Sequence, residues 1–355
     1  MPPRDRRRRI AGGIRRRSSP QALAPRTRRR AGPERSLTRL DVSAIQRAAT
    51  GIDPIFRDTP QFESGAVSDR CGAQVVLKVE TANPIRSFKG RGTDWLCSRL
   101  VFPTGSEVVC ASAGNFGQGL AWAGARRGLK VTVFAARTAN QLKVSRMREF
   151  GADVRLEGAD FADAKAAAQA HATLTGARFI EDGREPAIAE GAGTIGLELS
   201  RWPKPFDTLL VPIGDGALIA GIGTWAKARM PGTQVIGVCA AGAPAMALSW
   251  RAGRPVSTPR ADTIADGIWV RNPVPEALDM LRPVVDDIVL VTDDSMLAAI
   301  RLLFFEAGLV VEPAGAAGLA ALLEQRTRWR GSLVATPVCG GNLTREQIAR
   351  WLAAD

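Results

Sequence analysis

The side chain best suited to covalent chemistry in this chain is a lysine between a strand and a helix. Lys89 stands in residues 83–92, which read NPIRSFKGRG. The Val-rich run Gln74 to Glu80 predicts a strand before it, and a helix is predicted from Lys89 to about Leu100. A lysine amine can form a Schiff base with a carbonyl, and a cofactor aldehyde is a common partner in amino-acid chemistry. Because most single lysines are surface charges, the assignment depends on which other stretches lie nearby.

A turn of small polar residues follows a second predicted strand, Glu107 to Ala111, and opens a helix. The first turn of a helix presents free backbone N–H groups with partial positive charge, which suit a substrate carboxylate. Ser112 adds a hydroxyl donor there, and Asn115 adds an amide donor for a phenolic oxygen. The alternative interpretation is a Ser/Asn helix cap beside a glycine turn.

A glycine-rich turn follows the apolar strand predicted from Thr208 to Ile213 and opens another helix. Its glycines allow backbone amides to approach a phosphate, and the N-terminus of the helix favours negative charge. It has no Gly-Lys-Ser/Thr, and its glycine spacing differs from the dinucleotide fingerprint. The carboxylate of Asp215 is expected to point away from a bound phosphate. A glycine turn without a ligand remains the alternative.

The last predicted strand, Ser332 to Val338, ends at Cys339 in a Cys-Gly-Gly-Asn run. This thiol could donate to, or accept from, a ring nitrogen, and the alternative is a buried cysteine beside a turn. The five cysteines form no Cys-x-x-Cys pair, which indicates a reducing cytosol and no zinc site. The single histidine, His171, is predicted at a surface or boundary position and leaves almost no material for a His-based nucleophilic mechanism.

Short apolar strands alternate with helices from residue 40 onward, which predicts an α/β fold with a parallel sheet covered on both faces. In such sheets ligands bind at the carboxyl ends of the strands. Each stretch described above comes shortly after the carboxyl end of a predicted strand. No apolar run reaches the ~18 residues needed to span a bilayer, so we expect no membrane partner.

The first 39 residues carry most of the net charge of +13, because they hold 14 arginines and two acidic residues. They contain few apolar side chains that could be buried in a core, so we expect this segment to be disordered. A nucleic-acid or anionic-surface tail, a transit peptide and an extension without function are the three alternatives. The remaining chain is nearly neutral, which argues against a nucleic-acid partner for it.

Six motifs occur in order and together resemble the pyridoxal-phosphate enzymes of the tryptophan-synthase-β-like group, also called fold type II. They are residues 87–92 (SFKGRG), 112–115 (SAGN), 214–218 (GDGAL), 263–268 (TIADGI), 311–316 (VEPAGA) and 339–342 (CGGN). The resemblance is greatest to threonine/serine dehydratases and covers about residues 40–355. It implies a two-domain, parallel-sheet-based α/β fold that binds pyridoxal 5'-phosphate. Residues 40–105 and 185–355 would form the large cofactor-binding domain, and residues 106–184 the small domain.

The resemblance also implies a role for each candidate residue. Lys89 would form the Schiff base and act as the catalytic base. The other cofactor-binding residues would be Phe88 beside the ring, Asn115 at the 3-hydroxyl, the amides of Gly214, Asp215, Gly216, Ala217 and Leu218 around the phosphate, and Cys339 at the pyridine nitrogen. The substrate carboxylate would be held by Ser112, Ala113, Gly114 and Asn115.

The sequence departs from the pattern of the group at several positions. Dehydratases of this kind have His where Phe116 stands, and four glycines where residues 214–217 read GDGA. Racemases carry a second serine where Ala113 stands, so the acid/base group of the opposite face is missing. Metal-activated members place acidic ligands where Cys239 and Ala245 fall, so we expect no metal site.

The resulting expectation is a pyridoxal-phosphate-dependent ammonia-lyase that acts by β-elimination. It would convert a β-hydroxy amino acid such as L-threonine or L-serine to a 2-keto acid and ammonia. The alternatives are a β-replacement or threonine-synthase-like reaction and, more distantly, nucleic-acid binding through the Arg-rich tail. We expect a cytoplasmic homodimer whose ligand is a small-molecule amino acid.

Overall fold

A computed structural model describes residues 40–352, so the Arg-rich segment 1–39 and its predicted disorder lie outside the described residues. Ten strands are described: β1 Gln61–Glu63, β2 Gln74–Val79, β3 Glu107–Ala111, β4 Lys130–Ala135, β5 Asp153–Leu156, β6 Arg178–Phe179, β7 Thr208–Pro212, β8 Gln234–Ala240, β9 Asp287–Val291 and β10 Leu333–Val338. The α-helices there are α1 Val42–Gly51, α2 Gly65–Cys71, α3 Lys89–Arg99, α4 Asn115–Ala125, α5 Gln141–Glu149, α6 Phe161–Thr175, α7 Pro186–Leu199, α8 Ala217–Arg229, α9 Ala245–Ala252, α10 Pro275–Leu281, α11 Asp293–Ala307, α12 Pro313–Glu324 and α13 Arg345–Leu352.

The larger sheet has six strands in the order β1-β2-β10-β7-β8-β9. All neighbours run parallel except β1, which pairs antiparallel with β2 at the edge. Every residue of β7 and β10 is buried, as expected of central parallel strands covered by helices on both faces. The carboxyl ends of β2, β10, β7 and β8 therefore lie along one edge.

The smaller sheet has four parallel strands in the order β5-β4-β3-β6. All four lie within the segment 106–184 that we predicted as the small domain. The division into two domains stays a prediction, because the largest hydrophobic cluster joins both sheets and contains, for example, Val108 of β3 and Val211 of β7. The two sheets accordingly present their strand ends to a shared region.

The helices that carry the candidate residues pack closely at the junction of the two sheets. Helices α3, α4 and α8 begin at the candidate turns, at Lys89, Asn115 and Ala217. Helix α7 packs against α1, α3 and α8. Within residues 40–352 no helix is both long and apolar enough to cross a bilayer.

Most predicted elements are confirmed, and the differences have physical reasons. Helix α7 begins at Pro186, since a proline at the first helical position is favourable. Helix α12 was not predicted, since its Ala-rich residues are buried on nearly every side and give no amphipathic period. The last helix begins with a capping box: the Thr344 amide donates to Gln347 Oε1 at 2.9 Å, and the Gln347 amide donates to Thr344 Oγ1 at 3.1 Å.

Candidate functional site

A cavity of about 1090 Å³ lies where the carboxyl ends of β3, β7 and β10 meet. It contains every candidate residue predicted from the sequence: Phe88, Lys89, Ser112, Ala113, Gly114, Asn115, Gly214, Asp215, Gly216, Ala217, Leu218 and Cys339. Phe116, which stands where related dehydratases carry a histidine, also lines the cavity and is 7% exposed. Stretches that are far apart in the sequence are thus brought around one space.

The loop before Lys89 is attached to the end of β10. Ser87 and Gly340 form an isolated antiparallel bridge, the Phe88 amide donates to the Cys339 carbonyl at 3.1 Å, and Ser87 Oγ donates to the same carbonyl at 3.2 Å. The backbone bridge and the Ser87 side-chain hydrogen bond therefore hold Lys89 and Cys339 on neighbouring walls of the cavity.

A buried ionic network fixes the first turn of α3, two residues beyond Lys89. The fully buried guanidinium of Arg91 donates to Glu80 at 2.7 and 2.9 Å and to Glu198 at 2.6 and 2.8 Å. It also donates to Thr194 at 2.8 Å and to Thr59 at 3.0 Å. Because the network ties α3 to β2 and α7, the direction in which Lys89 leaves the helix is fixed.

The amine of Lys89 donates to the carboxylate of Asp182, a residue that sequence reasoning missed. It also lies 4.8 Å from the centre of the Phe88 ring. The side chain of Asp182 is 7% exposed, and its Oδ1 has no hydrogen-bond partner among the described residues. Its position in the sequence could have identified Asp182 as a candidate, because it comes three residues after the carboxyl end of β6.

The turn from Ser112 to Asn115 begins α4 as predicted. Ser112 Oγ accepts from the Gly117 amide at 3.0 Å and from the Gly114 amide at 3.2 Å. The hydroxyl therefore caps the helix, and the amide of Gly114 is already used within the protein. The Ser112 hydroxyl proton and the backbone N–H of Asn115 remain as donors for a carboxylate. The binding of a substrate carboxylate at this turn stays a prediction.

A second group of charged residues, to which no role was assigned from the sequence, lines the cavity next to Asn115. Asn115 Nδ2 donates to Glu312 Oε1 at 2.6 Å, and the buried Lys143 contacts Asp266 at 2.7 Å and Glu312 at 3.7 Å. Burial raises the pKa of Glu312, and the charge of Lys143 opposes that rise. Burial alone would lower the pKa of Lys143, but Glu312 and Asp266 outweigh it and raise the pKa.

The glycine-rich turn makes a sharp left-handed entry into α8. Gly216 has φ +92°, a conformation that favours glycine, and α8 starts at the next residue. The amides of its first turn have no partner within the helix. The side chain of Asp215 faces the cavity, and protein surrounds that cavity. The resulting loss of hydration, and to a smaller extent the negative charge of Asp182, raise the pKa of Asp215 to about 6.

The thiol of Cys339 is buried on the cavity wall, with Sγ 3.8 Å from the Ala314 carbonyl oxygen. Burial raises the pKa of this thiol well above its ordinary value, so Cys339 keeps its proton. His171 is not part of the cavity: it lies on α6, 15% exposed, with Nε2 3.1 Å from Glu107. Its predicted boundary position is confirmed.

The family model described as "Pyridoxal-phosphate dependent enzyme" matches residues 52–340. The chain belongs to this family. It is 35% identical over 311 residues to an L-threonine ammonia-lyase of Geobacter sulfurreducens, covering 87% of this chain and 77% of that protein.

Two solved structures extend the similarity to the fold. The processed form of threonine deaminase isoform 2 from Solanum lycopersicum has a TM-score of 0.80 and 30% identity, covering 87% of this chain and 88% of that one. Maize serine racemase has a TM-score of 0.82 and 29% identity, covering 88% and 96%. This chain is therefore a pyridoxal-phosphate-dependent enzyme of fold type II, and its relatives support β-elimination as its reaction.

The residues around the cavity fit the cofactor of the family. A lysine amine, a set of unpaired helix amides at the glycine turn and an amide donor at Asn115 match an aldehyde, a phosphate and a phenolic oxygen in turn. Among residues 40–352 no cluster of three or more His, Cys, Asp or Glu side chains is placed to hold a metal ion. Cys239 and Ala245, at the positions where metal-activated members carry ligands, are both buried in the structure.

Proposed function

We propose that this chain is an ammonia-lyase that dehydrates L-threonine, L-serine or a close β-hydroxy analogue to a 2-keto acid and ammonia. The observation that carries the proposal is the position of the Lys89 amine. It enters a cavity whose other walls are the Ser112 turn, the glycine-rich turn and Cys339. The candidate base and the candidate anion sites for a carboxylate and a phosphate therefore line one cavity, which supports the proposal.

Each wall has a proposed task in holding pyridoxal phosphate and substrate. Lys89 would carry the cofactor beside Phe88, Asn115 would donate to its 3-hydroxyl oxygen, and Cys339 would face its ring nitrogen. The amides of Gly214, Asp215, Gly216, Ala217 and Leu218 would hold the phosphate. The turn from Ser112 to Asn115 would hold the substrate carboxylate through the Ser112 hydroxyl and the backbone amide of Asn115, because the Gly114 amide already donates to Ser112. When bound, the cofactor supplies an aldehyde and an electron-withdrawing ring, which make the Cα proton of an amino acid acidic.

The proton transfers belong to Lys89. Its free amine would remove the Cα proton, and the ammonium so formed would return a proton to the departing β-hydroxyl group. Asp182 accepts a hydrogen bond from this amine, so its carboxylate can hold the ammonium form in place. Loss of water leaves an enamine that hydrolyses to the keto acid and ammonia after release.

Only one face of the bound substrate has such an acid/base group. Ala113, on the turn opposite Lys89 in the family pattern, carries no hydroxyl group. General acid–base help contributes about 10²–10⁴-fold to a rate. Its absence on the second face should make racemisation negligible beside elimination.

The proposal is tested by measuring keto acid, ammonia and enantiomeric composition with D- and L-serine and D- and L-threonine. Keto acid from one enantiomer only is expected. Rapid interconversion of D and L forms without keto acid would contradict the one-base mechanism. Product formation that requires a second nucleophile or a phosphorylated substrate would instead support the β-replacement or threonine-synthase-like alternative.

We also propose that the enzyme acts in the cytoplasm as a homodimer. All five cysteines are free and buried, which suits a reducing compartment. Light scattering of the purified protein measures the assembly directly, and a monomer at working concentration would contradict the dimer.

A further inference from the structure

The amide group of Asn115 is held at both ends. Its nitrogen donates to Glu312 Oε1 at 2.6 Å, and its oxygen accepts from Asn342 Nδ2 at 2.9 Å. Gln118 Nε2 is a third neighbour, 3.4 Å from the same oxygen. An amide that swapped its N and O atoms would place oxygen against a carboxylate and N–H groups against N–H groups.

The orientation of Asn342 is itself fixed by the backbone. Its Nδ2 also donates to the carbonyl of Ile85 at 2.9 Å, and a carbonyl can only accept. The nitrogen of Asn342 must therefore face both Ile85 and Asn115. Its two N–H groups are then both in use, and the oxygen of Asn115 must be the atom that receives one of them.

Glu312 is placed as an acceptor for this purpose. It is 2% exposed at the start of α12, and its Oε2 accepts from the Asn342 amide at 3.1 Å with Lys143 3.7 Å away. It reaches this position only because residue 340 is glycine, since a Cβ there would lie 2.2 Å from Glu312 Oε1. Both carboxyl oxygens of Glu312 accept N–H groups, Oε1 from Asn115 Nδ2 and Oε2 from the backbone amide of Asn342, so Glu312 acts as an acceptor toward Asn115.

One N–H of Asn115 is left without an acceptor among the described residues, and Asn115 lines the cavity. We propose that Glu312 and Asn342 act as positioning residues that fix the amide of Asn115 so that it presents an N–H donor to the phenolic oxygen of the bound cofactor. The inference rests on the proposed cofactor-binding role of Asn115. It explains why the buried side chains of Glu312 and Asn342 both contact the Asn115 amide, Glu312 from the lining of the same cavity.

The test compares the affinity of two cofactors, so it does not depend on turnover. Apoenzyme is titrated with pyridoxal phosphate and with its 3-deoxy analogue, which keeps the aldehyde and phosphate but lacks the phenolic oxygen. Glu312→Gln can turn its own NH2 toward Asn115 and so release the amide. We expect it to weaken binding of pyridoxal phosphate about tenfold, the size of one misaligned hydrogen bond, and to leave binding of the analogue unchanged.

Two further variants keep the test decisive. Asn342→Ala removes the donor that orients the Asn115 oxygen and should show the same selective loss, which also covers the case in which Glu312→Gln fails to fold. Glu346→Gln makes the same chemical change at an exposed residue that lines the same cavity, and it should alter neither affinity.

A general structural defect would weaken both cofactors equally, and that result would overturn the proposal. Unchanged affinity for pyridoxal phosphate in both positioning variants would also overturn it. Failure of the proposed reaction is distinguishable, because an enzyme that binds both cofactors as expected and releases no keto acid would contradict only the substrate assignment.

Discussion

Replacing Arg91 by methionine should destabilise the protein strongly, although methionine fills a similar volume. The guanidinium is fully buried and donates six hydrogen bonds to Glu80, Glu198, Thr194 and Thr59. Its removal leaves two buried carboxylates facing one remaining cation, Lys78, which contacts Glu198 at 2.5 Å. Breaking a buried ion pair by removing one partner typically costs about 3–5 kcal/mol.

The pKa of Glu198 gives an independent magnitude. Burial alone would raise this pKa, but the hydrogen bonds and charge of Arg91, together with the charge of Lys78, lower it from 4.5 to about 2. At about 1.4 kcal/mol for each pH unit, this corresponds to roughly 3 kcal/mol of stabilisation of the charged form, which agrees with the first value.

The same shift fixes the sign of a pH dependence. A carboxyl whose pKa is lower in the folded state than its ordinary 4.5 stabilises the fold at higher pH. That stabilisation is fully present above pH 4.5 and is lost progressively as the pH falls toward about 2. The wild type should lose stability through this window more steeply than Arg91→Met, in which Glu198 has lost its main partner.

The assay is thermal unfolding of the holoenzyme followed by tryptophan fluorescence. A loss of 3 kcal/mol should lower Tm by at least about 5 °C in a protein of this size. Arg201→Met is the matched control, because Arg201 is 58% exposed and pairs with Asp58, which is 70% exposed, and such surface pairs contribute about 1 kcal/mol or less. A Tm for Arg91→Met equal to that of Arg201→Met would refute the reasoning.

Three further outcomes are expected. Purified enzyme should bind pyridoxal phosphate with visible absorbance, and Lys89→Ala should lose that absorbance unless an amine is added; a colourless wild type that cannot be reconstituted would contradict the cofactor site. A chain that begins near Leu40 should keep full activity and the same Tm, because residues 1–39 hold few apolar residues to pack; salt-sensitive DNA binding seen only with the full chain would support the nucleic-acid alternative for the tail. Chelator treatment should change neither activity nor Tm, and divalent-metal activation of more than a few-fold would indicate ligands outside the positions of Cys239 and Ala245.

The location of the site could be predicted from the sequence because each candidate motif comes shortly after the carboxyl end of a predicted strand. Parallel strands of one sheet place their carboxyl ends on one edge, so Lys89, Gly214 and Cys339 are predicted to lie together. Ser112 follows β3 of the smaller sheet, so only the family resemblance predicts its place beside them. The local sequence of each motif determines its turn.

The residues that complete the site could not be predicted in this way, because their roles depend on pairs that only the folded chain creates. Asp182 matters through its contact with Lys89, which is 93 residues earlier in the chain. Glu312 matters through Asn115, 197 residues away, and Lys143 through Glu312 and Asp266. Asp266 and Glu312 stand in the motifs at 263–268 and 311–316, but these motifs do not identify the partners of the two carboxylates, and Asp182 and Lys143 belong to no motif.

The same reasoning accounts for the one long helix that was missed and its consequence for the site. Helix α12 packs against strands and helices on nearly every side, so its sequence shows small apolar residues without a period. Missing this helix also hides the role of Glu312, since the residue before Pro313 is the one that the start of the helix turns toward the cavity. A buried helix with no amphipathic signal can therefore conceal a functional carboxylate at its N-terminus. An acidic residue directly before a proline and a small-residue run is then a useful sign of such a position in sequences of this kind.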